Sequence, residues 1–87
     1  MKVYVFSYED VNVDFYTSYV KVYATKKLAQ NEAKIILKDI KENIYSYKYM
    51  VLEHLANGNG FEMYEEGRYN ENHIFVRIEE KEVIENE

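Results

Sequence analysis

Two spacings alternate along this chain. Lys2–Tyr8 puts Val3 and Val5 on one side and Tyr4, Phe6 and Tyr8 on the other, the period that a β-strand imposes on its side chains. β-Branched and aromatic residues occupy both sides, which suits a strand covered on both faces. Asp10, Asn12 and Asp14 follow within Glu9–Phe15, and such residues bond their own backbone in turns. A loop of about eight residues is therefore expected, longer than the common hairpin connection. Thr17–Ala24 then alternates again, Val20, Val22 and Ala24 against Tyr19, Lys21 and Tyr23. The first two strands read as an antiparallel pair.

After Thr25 the spacing becomes helical. Ala29, Ala33, Ile36, Leu37, Ile40 and Ile44 share one face, and Gln30, Asn31, Lys34, Lys38 and Lys41 occupy the other. Thr25 stands where an N-cap hydroxyl meets the free amides of the first turn. From Asn43 to Asn57 two periods coexist. Ile44, Tyr47, Val51 and Leu55 form a helical stripe, while Tyr45, Tyr47 and Tyr49 alternate with Ser46 and Lys48 as a strand would. Length favours a second helix, ended at Asn57-Gly58 by a left-handed residue and separated from the first by a bend near Asn43–Ser46.

Phe61–Glu65 reads as a short strand, Glu66–Asn72 as a loop around Gly67, and His73–Glu80 as a strand with Ile74, Val76 and Ile78 inward. Phe75 lies on the outward side beside Arg77 and Glu79. The acidic stretch from Glu80 to Glu87 either prolongs that strand or frays. The expected class is α+β, a single domain over residues 1–87 in the order ββααββ: a four-stranded, mainly antiparallel sheet with two helices on one face.

Composition narrows the chemistry. Apolar types make up 47% of the 87 residues, but ten of them are tyrosine, so the apolar count includes a large amphipathic reserve. The chain has no Cys, Pro or Trp, which excludes a disulfide scaffold, a thiolate zinc site, an iron–sulfur cluster and a thiol enzyme. No apolar run approaches the ~18 residues of a membrane span, and the N-terminus lacks the apolar core of a signal peptide. A cytoplasmic setting away from membranes is the expectation. The net charge of −5 is uneven: residues 1–61 are nearly balanced, and residues 62–87 carry nine acids against three bases. Nucleic acid, which needs a basic footprint, is disfavoured as a partner, acidic partners are not expected, and basic ones become possible.

No nucleophile elbow, zinc-protease, P-loop or dinucleotide motif occurs. His54 falls late in the expected second helix, where Glu53 points to another helix face. His73 opens the last strand among Tyr69, Glu71 and Asn72, and a histidine at a loop end is more often a packing residue than a base. Catalytic residues, metal ligands and cofactors are all expected to be absent. The segment Tyr64–His73 gathers two Tyr, one Arg, one His and two Asn around Gly67; Tyr and Arg are the side chains that anchor protein interfaces. Tyr64, Arg68, Tyr69, His73 and Phe75 are accordingly the candidate protein-binding residues. Lys34, Lys38 and Lys41 read as a solvated helix exterior, diluted by Glu32, Asp39 and Glu42. The tyrosine excess suits protein partners, a second copy included, so a homodimer is expected. The alternative is an oligomer that sequesters a small anionic ligand or nucleotide.

Three segments carry a resemblance: Lys2-Val3-Tyr4-Val5; Tyr23-Ala24-Thr25-Lys26-Lys27-Leu28-Ala29 with Glu32-Ala33; and Tyr64–His73 running into Ile78-Glu79-Glu80-Lys81-Glu82-Val83. Together they cover about half the chain and resemble small uncharacterised proteins of phages and mobile elements in low-GC Gram-positive bacteria. The resemblance implies a phage-type accessory protein and carries no activity with it. Some small acidic phage proteins inhibit host defence proteins, and that context makes an anti-defence role the matching expectation.

Overall fold

A computed structural model describes residues 1–44, 48–67 and 72–84. The chain runs through β1 (Lys2–Asn12), β2 (Tyr16–Tyr23), α1 (Lys26–Asn43), β3 (Met50–His54), β4 (Gly60–Glu65) and β5 (Asn72–Glu82). The five strands form one antiparallel sheet in the order β2-β1-β5-β4-β3. The α+β class stands, with five strands instead of four and one helix instead of two.

The expected second helix is where the difference lies. Met50–His54 pairs with β4, Met50 opposite Glu65 and His54 opposite Phe61. Its true period is two: Met50 and Leu52 pack towards the core on the helix side, and Val51 points to the other face. The turn explains why. Asn57 and Gly58 adopt left-handed backbone (φ 61° and 68°), and such a pair between two apolar runs closes a hairpin as readily as it ends a helix. Gly60 follows at φ 121°, where a Cβ would stand 2.0 Å from the Val76 carbonyl oxygen. Only glycine lets β4 approach β5 there. His54 consequently sits on a strand, not a helix.

The first hairpin is also tighter than expected. Only Val13–Phe15 separates β1 from β2, because Asn12 accepts the Asp14 amide on its side chain (3.2 Å) and donates its own amide to the Phe15 carbonyl (2.9 Å). At the other end β5 continues to Glu82, opposite Lys2, so the acidic stretch is paired as far as that residue.

Helix α1 forms as its spacing requires. Thr25 caps it, its hydroxyl accepting the Leu28 amide at 3.2 Å. Ala29, Ala33 and Ile40 are buried against the sheet. Opposite them lie Phe6, Phe61, Met63, Ile74, Val76 and Ile78, which complete the core. Around its margin stand half-buried Tyr4, Tyr8, Tyr19 and Tyr23, with Tyr8 stacked on Tyr19 at 5.0 Å between centroids. Their rings cover the core while their hydroxyls need partners. Tyr4 donates to Glu80, Tyr8 to Asp10 and Tyr19 to Glu32.

Tyr8 is the most perturbed of them. Burial first, then the Asp10 carboxylate, pushes its hydroxyl up to about 12, against about 10 for a free tyrosine. The folded protein therefore holds a proton that the unfolded chain has released, and stability present below pH ~10 is lost as pH rises towards 12. Urea midpoints measured at pH 9 and 11.5 should fall between the two, and by less in Tyr8→Phe than in the wild type.

Candidate functional site

Among the described residues, α1 covers one face of the sheet and nothing covers the other. Register makes that open face a lattice of rows running across the strands. The first row is Tyr16, Val11, His73, Tyr64 and Val51; the second is Ser18, Glu9, Phe75, Glu62 and Glu53. Towards the far end come Val20, Ser7 and Arg77, then Val22, Val5 and Glu79, then Val3 and Lys81. The alternation that buries Phe6 and Val76 on the helix side places all of these together on the other.

The aromatic half is tightly organised. Each carboxylate of the second row is met by a polar tip reaching over from the first. The Tyr16 hydroxyl donates to Glu9 at 2.9 Å, His73 Nε2 lies 3.2 Å from Glu62 Oε1, and the Tyr64 hydroxyl donates to Glu53 at 3.1 Å. His73 is only 9% exposed, although no described residue is layered over its face. Tyr64 stands edge-on to it at 6.5 Å and Phe75 edge-on at 5.8 Å, and Glu62 closes a third side. The hydrogen bond to Glu53, ahead of all other influences, raises the Tyr64 hydroxyl above its ordinary value.

The valine half is different. Val20 and Val22, on edge strand β2, are 64% and 61% exposed, with half-buried Val3 and Val5 beside them on β1. Next to these, β5 presents Arg77, Glu79 and Lys81 in line. Glu79 lies 3.0 Å from Lys81 Nζ and 3.3 Å from Arg77 Nε. Lys81 foremost, with Arg77 behind it, holds the Glu79 carboxyl below the usual range.

Of the residues singled out in the sequence, Tyr64, His73 and Phe75 come together on this open face. Arg68 and Tyr69 lie outside the described residues, as do Tyr45 and Tyr47. His73 is a packed member of the face whose ring is engaged by a carboxylate. His54 is remote from it, on the helix side of β3. Glu9, Glu53, Glu62, Tyr16 and the four valines went unrecognised, since their adjacency depends on which strands pair. Among the described residues no group of three acidic or histidine side chains gathers as a metal ligand set, and no helix is long and apolar enough to cross a membrane.

No family model, curated protein or solved structure matches this chain.

Two of the cross-row pairs differ sharply in burial, and their mutational costs should follow. His73→Phe keeps an aromatic ring but removes the buried imidazole nitrogen that lies 3.2 Å from Glu62, whose side chain is only 16% exposed. The expected loss is about 1–3 kcal/mol by urea denaturation. Adding Glu62→Leu should recover much of it, giving a coupling of at least ~0.5 kcal/mol. Tyr64→Phe, on an exposed pair, should lower the urea midpoint by clearly less than His73→Phe does.

Proposed function

We propose that this chain is a non-enzymatic protein-binding module that works through the open face of its sheet, and that its first partner is a second copy of itself. One observation carries the reading: a regular sheet face that no described residue covers bears exposed valines at one end and an ordered aromatic cluster, Tyr64, His73 and Phe75, at the other. Extended apolar surface left on a small protein marks an interaction site. Aromatic side chains held by neighbours, as these are, supply contact area at low entropic cost.

Self-pairing follows from shape and charge. Open sheet faces pack on one another about 10 Å apart with interleaved side chains. A two-fold contact requires a patch that complements itself. Valines meeting valines satisfy this, and the line Arg77-Glu79-Lys81 satisfies it when the reversed strand is offset by one position, so that Arg77 of each copy faces Glu79 of the other. The non-enzymatic part rests on geometry: His73 lies in a flat face with its ring engaged, whereas general-base chemistry needs a cleft that excludes water.

The finer form of the proposal concerns the partner beyond self. The likeness to phage and mobile-element accessory proteins points to a host protein, with defence proteins the class to examine first. The acidic row around Phe75 suits a target surface that presents basic side chains.

Sedimentation equilibrium tests the pairing. The wild type should be a dimer at tens of micromolar, and Val20→Glu with Val22→Glu should be monomeric with an unchanged circular-dichroism spectrum. Each valine removed from a buried contact should weaken dimerisation by roughly tenfold or more. A wild type that stays monomeric throughout, or a double variant that dimerises as well, would defeat the reading.

A further inference from the structure

On the other side of the sheet the helix leaves a second feature, a groove of about 240 Å³ between α1 and the β3–β4 hairpin. Its lining is apolar: Ala33 and Leu37 from the helix, Leu55 and Phe61 from the hairpin, with Lys34 and His54 also bordering it. We infer that this groove is a binding site for a small amphipathic anion, a monocarboxylate with a short aliphatic body.

The groove follows from how the helix is held. Its N-terminal turns are tied to the hairpin loop, Lys26 Nζ donating to the Asn57 carbonyl at 2.8 Å and Gln30 Nε2 to the Gly58 carbonyl at 3.0 Å. Gly58 belongs to that seal, since a Cβ there would come within 2.6 Å of Gln30 Nε2. One turn further on, the helix offers only the methyl group of Ala33, and space remains beneath it until Leu37. The end near Gln30 is closed, and the apolar floor continues along Leu37 towards Lys38 and Lys41.

Charge selects the occupant. No carboxylate lines the groove itself, in a chain whose net charge is −5. Among the described residues Lys34 and Lys41 have no carboxylate within 4.0 Å, and Lys38 meets Glu42 only at 3.9 Å. An aliphatic body on Ala33, Leu37, Leu55 and Phe61 would be removed from water, while its carboxylate stayed at the rim beside the Lys34 ammonium and an imidazole N–H of His54. Lysine suits that place because its stem packs on apolar surface while its head remains solvated. A nucleotide fits less well, because the floor is aliphatic and the cations lie along one side only.

The test is a titration of the isotopically labelled full chain, followed by amide and methyl NMR, with octanoate, octanol and acetate as probes. Octanoate should shift resonances of Ala33, Leu37, His54 and Phe61 in a saturable manner. Octanol should bind at least tenfold more weakly, and acetate should leave those resonances unmoved. Lys34→Glu changes an exposed residue and should weaken octanoate tenfold or more; Ala33→Leu should abolish binding by filling the groove. Octanol binding as tightly as octanoate would overturn the inference, as would undiminished octanoate affinity in Lys34→Glu. So would saturable shifts confined to the open-face valines, or no saturable shift at millimolar octanoate.

Discussion

One helix has to close a five-stranded sheet, and the rest of the molecule follows from that inequality. Eighteen residues make a rod about 27 Å long and 10 Å wide. Five strands at about 4.8 Å spacing present a surface nearly twice as wide, on each of two faces. The helix therefore lies along the middle of one face and buries Phe6, Met63 and Val76. Edge strand β3 lies at the margin of that cover, where Lys26 and Gln30 tie the helix to the hairpin loop. Among the described residues none covers the opposite face. Both proposed binding surfaces are consequences: the groove is the margin the helix does not fill, and the open face is the side it does not reach.

Tyrosine and carboxylate together make this incomplete cover tolerable. Among the described residues five tyrosine hydroxyls donate to carboxylates: Tyr4, Tyr8, Tyr16, Tyr19 and Tyr64. Three of these rings border the helix-side core, extending it outward where aliphatic side chains would end in water. The other two stand on the open face, where they and His73 tie each carboxylate of one row to its neighbour. The tyrosine excess and the acidity of the chain are thus partly one feature. A ring at a sheet margin needs an acceptor at its tip, and glutamate or aspartate two residues along, one strand over or, for Tyr19, on α1 supplies it. What remains for a partner is the valine half and the exposed edges of Tyr64 and Phe75.

The parts legible in the sequence were those governed by local spacing. Helix α1 and its Thr25 cap, the alternation of β1, β2 and β5, and the inward set Ile74, Val76 and Ile78 all follow from residues within a few positions of one another. The segment around Met50–His54 did not yield to the same reasoning, because Ile44, Val51 and Leu55 satisfy a helical stripe while the hairpin is decided by its pairing with β4. The Asn57-Gly58 turn supports either outcome, and Gly60, whose lack of a side chain admits the Val76 carbonyl, reveals its purpose only once β5 is in place. The site was legible in the same proportion. Tyr64, His73 and Phe75 stand out as aromatic groups at the start of a strand. Glu9 and Glu53, far apart in sequence, join them only through strand order, and the same is true of Val3, Val5, Val20 and Val22.

The open sheet face is proposed as the contact surface of this protein. Methyl NMR of valine-labelled protein across a dilution series addresses it most directly, because Val76 is fully buried under the helix and serves as the internal reference. Shifts of the Val3, Val5, Val20 and Val22 methyl groups that change with concentration, while Val76 stays fixed, are the predicted result. Valine methyl positions that remain constant from dilute to concentrated solution would contradict the account.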